Sequence, residues 1–281
     1  MQTDYCTATM ELVPLEDFSA TVYRISTMTI TGSVNTCINL KKFFDSIEVE
    51  NFDHIKYVEY GVTKNEQDFK GEQTKKNKKK KVSKRFDNQM TLHMCDSDYK
   101  YNVKLFKNGN VQMTGVKDAE RGKIIIDELI KTLKVINKIV VEHDILDDED
   151  KMNNMNYSTR LINCDFRVSY KINRSYLHKL INTKYNLTCS YEPCIYQGVK
   201  IGFFMNDYSN DGICRCPKKC LGKGPNTICK KITVAIFQSG CVTITGSTTI
   251  KQLEYVYEYM KNMLENNMNE IYQQTYKIAE V

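Results

Sequence analysis

Val103-Lys104-Leu105-Phe106-Lys107-Asn108-Gly109-Asn110-Val111-Gln112-Met113-Thr114-Gly115 has a second version 131 residues later. That version is Val234-Ala235-Ile236-Phe237-Gln238-Ser239-Gly240-Cys241-Val242-Thr243-Ile244-Thr245-Gly246. The two share Phe-x-x-Gly-x-Val-x-[Met/Ile]-Thr-Gly without a gap. Strict alternation on either side of each glycine predicts a strand, a tight turn and a second strand. Val103, Leu105, Val111 and Met113 fall on one face, as do Ile232, Val234, Ile236, Val242 and Ile244. Asn102, Lys104, Phe106, Asn110, Gln112 and Thr114 fall on the other, matched by Thr233, Ala235, Phe237, Cys241, Thr243 and Thr245.

Working outward, each hairpin is followed by a helical pattern, Asp118 to about Val141 and Thr248 to about Asn266. Ile125, Leu129, Leu133 and Ile136, or Leu253, Tyr257, Met260 and Leu264, form the stripes that would bury against the apolar sheet face. Each hairpin is also preceded by a strand and a short helix: Tyr23–Thr31 and Leu40–Ile47, then Leu161–Tyr170 and Arg174–Ile181. Strand, helix, three-strand meander and long helix therefore occur twice. The expected fold class is α+β, two tandem repeats over 20–142 and 158–266. Residues 1–19 and 267–281 are extensions, and 143–157 is an acidic connector expected to be solvated. A phenylalanine at a strand end on the polar face, in both copies, either touches a ligand or tucks under a loop.

Composition bounds the function. The chain has 281 residues, 41% of them apolar, which suffices for a core in each repeat. No run of eighteen apolar residues occurs, and Met1–Leu15 lacks the apolar stretch of a secretory signal. Eleven cysteines, several inside apolar strands, point to a reducing compartment. A net charge of +6 permits a polyanionic partner. His54, His93, His143 and His178 are scattered, and no phosphate loop, nucleophile elbow or His-Glu-x-x-His pattern is present, so an enzyme is not expected.

Two insertions interrupt the repeats. The first, 63–85, carries Lys75-Lys76-Asn77-Lys78-Lys79-Lys80-Lys81, a self-repelling run that reads as a solvated loop, a phosphate-attracting arm or an import signal. The second, 207–230, carries Cys214, Cys216, Cys220 and Cys229. Four cysteines in sixteen residues on a polar hairpin tip read as a closed tetrahedral site for one structural zinc, or as four free or disulfide-bonded thiols.

The duplicated block resembles the core of the TATA-box-binding proteins, in which the matching segment reads Ile-Phe-x-Ser-Gly-Lys-x-Val-x-Thr-Gly. Ser190-Tyr191-Glu192-Pro193 with Gly198 resembles the family's Ser-Tyr-Glu-Pro-x-x-Phe-Pro-Gly, and Ile25-Ser26-Thr27-Met28-Thr29-Ile30 its Val-Ser-Thr-Val-Asn-Leu. The composition is similar to homologues of large DNA viruses of eukaryotes. The resemblance implies a saddle: a curved antiparallel sheet with helices on its convex face, laid along the minor groove of double-stranded DNA. It implies aromatic wedges at Phe106 and Phe237, with Tyr196 as second wedge of the C-terminal half. In the N-terminal half the second wedge is Phe86, favoured because the meander then runs uninterrupted, or Tyr57. Thr114 and Thr245 match the groove-floor threonines, while Gln112 and Thr243 replace the valines before them. Tyr23 and Leu161 stand for the family's asparagines, and Ile25 and Asn163 for the valines beside those. Thr27 and Lys104 complete the implied DNA-facing set. The implied role is transcription initiation on A·T-rich promoter DNA, in the nucleus or in a cytoplasmic viral factory or virion. The implied partners are a transcription factor IIB-like protein, near Ser190–Pro193, and RNA polymerase. A protein-binding platform without DNA affinity is the alternative, motivated by the altered floor. A base-excision enzyme, on the related fold of some glycosylases, lacks its second catalytic domain.

Overall fold

The computed structural model describes residues 10–61, 69–72, 87–142, 144–206, 209–218, 220–222 and 227–278. In chain order the elements are β1 (Met10–Leu12), β2 (Arg24–Ser33), α1 (Leu40–Ser46), β3 (Ile55–Tyr60), β4 (Phe69–Gly71), β5 (Gln89–Cys95), β6 (Lys100–Phe106), β7 (Asn110–Val116) and α2 (Ala119–Ile139). They continue as β8 (Met155–Arg167), α3 (Arg174–Leu180), β9 (Thr188–Ser190), β10 (Val199–Met205), β11 (Lys230–Ile236), β12 (Cys241–Ser247), α4 (Ile250–Asn266), α5 (Met268–Ile271) and β13 (Tyr276–Ile278). The chain divides into two compact units, Ser26–Ile162, and Met1–Ile25 with Asn163–Val281.

In the first of these units the strands run β4-β3-β5-β6-β7-β2, every pair antiparallel. Their inward residues, among them Ile30, Leu92, Val103, Leu105 and Met113, are fully buried with Ile125, Ile126, Leu129 and Leu133 of α2. In the other unit the order is β8-β12-β11-β10-β9, again antiparallel where the registers are defined. There Ile201, Phe203, Val234, Ile236 and Ile244 are buried with Leu253, Val256, Met260 and Leu264 of α4. All eight helix positions expected from periodicity are buried. Each fully buried side chain of this size contributes about 1.5–3 kcal/mol, so the one-sided stripes account for the layering.

The duplication extends to the turns and caps. Gly109 and Gly240 both have positive φ (78° and 79°), and each donates its N–H back to Phe106 O or Phe237 O, at 2.9 and 3.0 Å. Val34 N–H donates to Gly109 O as Val168 N–H does to Gly240 O, and Ile38 to Lys107 O as Ile172 to Gln238 O. Asn39 and Asn173 accept from the third residue onward at the starts of α1 and α3; Asp118 and Thr249 do so for α2 and α4. Such a cap contributes about 1 kcal/mol and explains why the helices begin where they do.

Three expectations need correction. The connector is not solvated linker: within Ser26–Ile162, Ile145 and Leu146 are buried, and Asn137 Oδ1 accepts from Ile145 N at 3.1 Å. Thr36 Oγ1 accepts from Asp148 N at 3.0 Å, and Ile38 bridges Leu146. Two apolar residues inside the acidic run are enough to dock it. The first repeat also holds a strand, β3, between α1 and the meander, and residues 69–71 of the basic insertion form β4 at the sheet edge rather than loop. Lys75–Lys81 lie outside the described residues. Outside the repeats, the two extensions pair with each other, β1 with β13.

Candidate nucleic-acid interface and cysteine cluster

Alternation in β5, β6 and β7 leaves one sheet face of the unit Ser26–Ile162 half-covered. Register lines its side chains into rows: Thr91 faces Lys104, Lys104 faces Gln112, and Gln112 faces Thr31. A second row pairs His93 with Asn102 and Asn102 with Thr114. Thr27 Oγ1 accepts from Gly115 N at 3.1 Å, beside Thr114. Phe106 ends β6, half-buried, opposite Gln89 at the start of β5. Phe86, just before that start, lies outside the described residues.

Tyr57 does not offer itself as that wedge. It is 3% exposed in the middle of β3, stacked on His93 at 4.7 Å and on Phe69 at 5.9 Å. Its hydroxyl donates to Glu59 at 2.7 Å, and burial together with that carboxylate raises its pKa. Both ring faces are already used by protein.

In the other unit the corresponding rows are Lys200–Ala235–Thr243 and Gly202–Thr233–Thr245. Phe237 directly follows β11, and its ring meets Tyr196 at 5.7 Å with a 58° tilt. Gly198 sits between them: a Cβ there would lie 2.9 Å from Tyr196 Cε1 and 3.1 Å from Phe237 Cε1. Lys200 Nζ lies 3.9 Å from the Tyr196 ring centroid. On β8, Asn163 and Asp165 are half-buried, and Asp165 pairs with Arg24 at 3.0 Å. Ile25 is half-buried between exposed Arg24 and Ser26. Tyr23 is committed elsewhere, donating to Glu254 of α4 at 3.2 Å and resting edge-on against Tyr257. The position matched to the family's asparagine therefore serves packing in this chain.

These faces hold hydroxyls, amides, a few lysines and half-covered aromatic rings. The described histidines have structural neighbours: His54 bonds Thr132 Oγ1, His178 bonds Asn182, and His93 stacks on Tyr57. Such a surface suits van der Waals and stacking contact rather than proton transfer.

The second insertion gathers Cys214, Cys216, Cys220 and Cys229 so that their four sulfurs all lie within 4.8 Å of one another. Cys216 and Cys229 are 3.5 Å apart, Cys229 and Cys214 3.8 Å. Every described cysteine is a free thiol. Gly222 N donates to Cys220 Sγ at 3.3 Å, which lowers that thiol's pKa. Burial and the three neighbouring sulfurs push Cys216 up to about 12. Four thiols packed this closely resist joint ionisation unless a cation joins them. The cluster can hold a metal ion.

Two likenesses accompany this geometry. A "TATA-box-binding protein-like" protein of Acanthamoeba polyphaga mimivirus is 28% identical over 262 residues, covering 88% of this chain. The chain spans 66% of that relative's length. The TATA-box-binding protein of Methanococcus jannaschii superposes with a TM-score of 0.50 at 16% identity, over 87% of this chain and 98% of the archaeal one. No protein-family model matches. The chain has the α+β fold of the TATA-box-binding proteins and resembles that family, including a viral relative, over most of its length.

Proposed function

We propose that this protein is a non-catalytic transcription initiation factor that binds the minor groove of A·T-rich promoter DNA and bends it by inserting aromatic side chains. The observation that carries the reading is the Tyr196–Phe237 pair on the hydroxyl-rich face, matched by Phe106 on an identical turn in the other repeat. A wedge unstacks a base step, at a cost of a few kcal/mol that contact with the bent duplex offsets. Thr114, Thr245, Gln112, Thr243, Thr27, Ile25, Asn163 and Lys104 are the proposed floor contacts, and Phe86 the fourth wedge. Minor-groove readout separates A·T from G·C and reports groove width, which tolerates this altered floor. The name of the mimivirus relative and the shared fold support the reading. A IIB-like protein meeting Ser190–Pro193, RNA polymerase, one structural Zn2+ at the cysteine cluster, and a nuclear or viral-factory location complete it. Phe106→Ala with Phe237→Ala is expected to abolish most bending in an energy-transfer assay while the protein still melts cooperatively. Unchanged bending would remove the wedge assignment.

A platform that binds protein in place of DNA is the second reading. It is favoured by Asp165, whose carboxylate shares the face with Asn163. Salt-titrated binding to A·T-rich and G·C-rich duplexes separates the two readings: a platform binds neither.

A further inference from the structure

The cysteine loop ends against the same sheet face that carries Phe237. Cys229 is followed directly by β11, and Lys231 has the same parity as Thr233, Ala235 and Phe237, so its side chain emerges on the half-covered face. Two glycines make room for it. Gly222, two residues after Cys220, has φ +63° and lies so close that a Cβ would come within 2.3 Å of Lys231 Cβ. On the other side, a Cβ on Gly202 would meet Lys231 Cε at 2.8 Å. The ammonium sits 5.6 Å from the centroid of the Phe204 ring, the residue opposite it in register. The backbone is tied by the same loop: Lys231 N–H donates to Gly222 O at 3.2 Å, and Phe204 N–H to Gly212 O at 2.9 Å.

We propose that Cys214, Cys216, Cys220 and Cys229 bind one Zn2+ as a tetrathiolate, and that this metal-tied loop is a strut that holds Lys231 on the DNA-facing surface. The DNA half of this inference rests on the function proposed above. Zinc–sulfur bonds of about 2.3 Å in a tetrahedron put sulfurs about 3.8 Å apart. The 3.5 and 3.8 Å separations seen here match that edge. Backbone N–H groups already point at the sulfurs, as Gly222 N does at Cys220, and such bonds orient thiolates and spread their charge. Each thiol loses its proton to solvent as the sulfur takes up the metal, so loading releases protons and needs no oxidant. The loop has few apolar anchors: Leu221 and Ile228 are 66% and 55% exposed. Without the metal, its 220–222 segment has little to keep Gly222 against Lys231. Lys231 is a positioning target and a phosphate ligand in this scheme, not a base reader.

The test uses the full-length chain purified under reducing conditions. Elemental analysis is expected to find one zinc per chain, released by chelation and by Cys220→Ser. Removal should accelerate amide hydrogen exchange at Lys231 at least tenfold while β6 and β7 stay protected. It should also lower the slope of log K against log salt by about 0.9, one phosphate contact. Lys231→Ala should keep its zinc, lose the same slope, and lose nothing more on chelation; Lys231→Arg should restore it. Gly222→Ala should keep its zinc yet exchange faster at Lys231. Absence of stoichiometric zinc overturns the metal site. Unchanged Lys231 exchange or an unchanged slope on metal removal overturns the strut. A zinc-loaded protein with the expected exchange behaviour and no affinity for any duplex overturns the DNA function and leaves the metal site standing.

Discussion

The rings of Tyr196 and Phe237 meet at 5.7 Å only because residue 198 has no side chain. They flank neighbouring strands of the sheet, Tyr196 just before β10 and Phe237 just after β11, and Gly198 leaves the space in which they tilt together. Gly198→Val should splay them. Both rings are half-buried, so stability should fall by no more than about 1 kcal/mol, whereas DNA bending should drop toward that of Phe237→Ala. Energy-transfer bending and a urea melt on one preparation check this. Bending equal to the parent protein would mean the pair does not enter DNA.

The two Phe-x-x-Gly turns should fail alike. At Gly109 a Cβ would lie 2.1 Å from Thr36 O, and at Gly240 2.7 Å from Tyr170 O and Val168 O. Those neighbours are backbone and cannot swing aside. The left-handed conformation alone costs a non-glycine residue about 1–3 kcal/mol, so Gly109→Ala and Gly240→Ala should each destabilise by at least that. Denaturant melts measure both. A neutral variant at either site would break the equivalence of the turns.

Replacing Lys75–Lys81 by Ser and Gly should weaken binding uniformly across sequences and flatten its salt dependence, because a run of lysines attracts phosphates and does not read base edges. Binding isotherms at several salt concentrations decide it. A retained slope assigns the run to solvation or import.

Acid should destabilise the protein in part through His54. Burial is the main cause that holds its pKa below the ordinary 6.5, against the opposing charges of Glu128 and Asp53. The unfolded chain then binds the proton more readily than the folded one. The contribution is complete above about pH 6.5 and is lost as pH falls through the lower folded value. His54→Gln should flatten the drop in melting temperature between pH 7.5 and pH 5.5, and an identical drop in both proteins would exclude His54 as its source.

β5 and β6 could be read residue for residue because they bury one face and leave the other half-open, the condition under which alternation is visible. β3 escaped that reading. Its residues Tyr57 and Val58 are both buried, so the period of two disappears even though Ile55, Tyr57, Val58 and Tyr60 are strand formers. The packing of Tyr57 was equally hidden from sequence order, because its ring is covered by His93 and Phe69 from the two neighbouring strands.

The duplication, the four main helices, the buried faces and the half-buried strand-end phenylalanines were legible in the sequence alone, because each follows from short-range periodicity. Tertiary structure alone decided that the acidic connector docks through Ile145 and Leu146, that β1 pairs with β13, and that four cysteines spaced unevenly over sixteen residues bring their sulfurs within 4.8 Å. Those outcomes depend on where loops close in space. A local pattern reports which face of a segment leaves water, and says nothing of which distant segment will cover it.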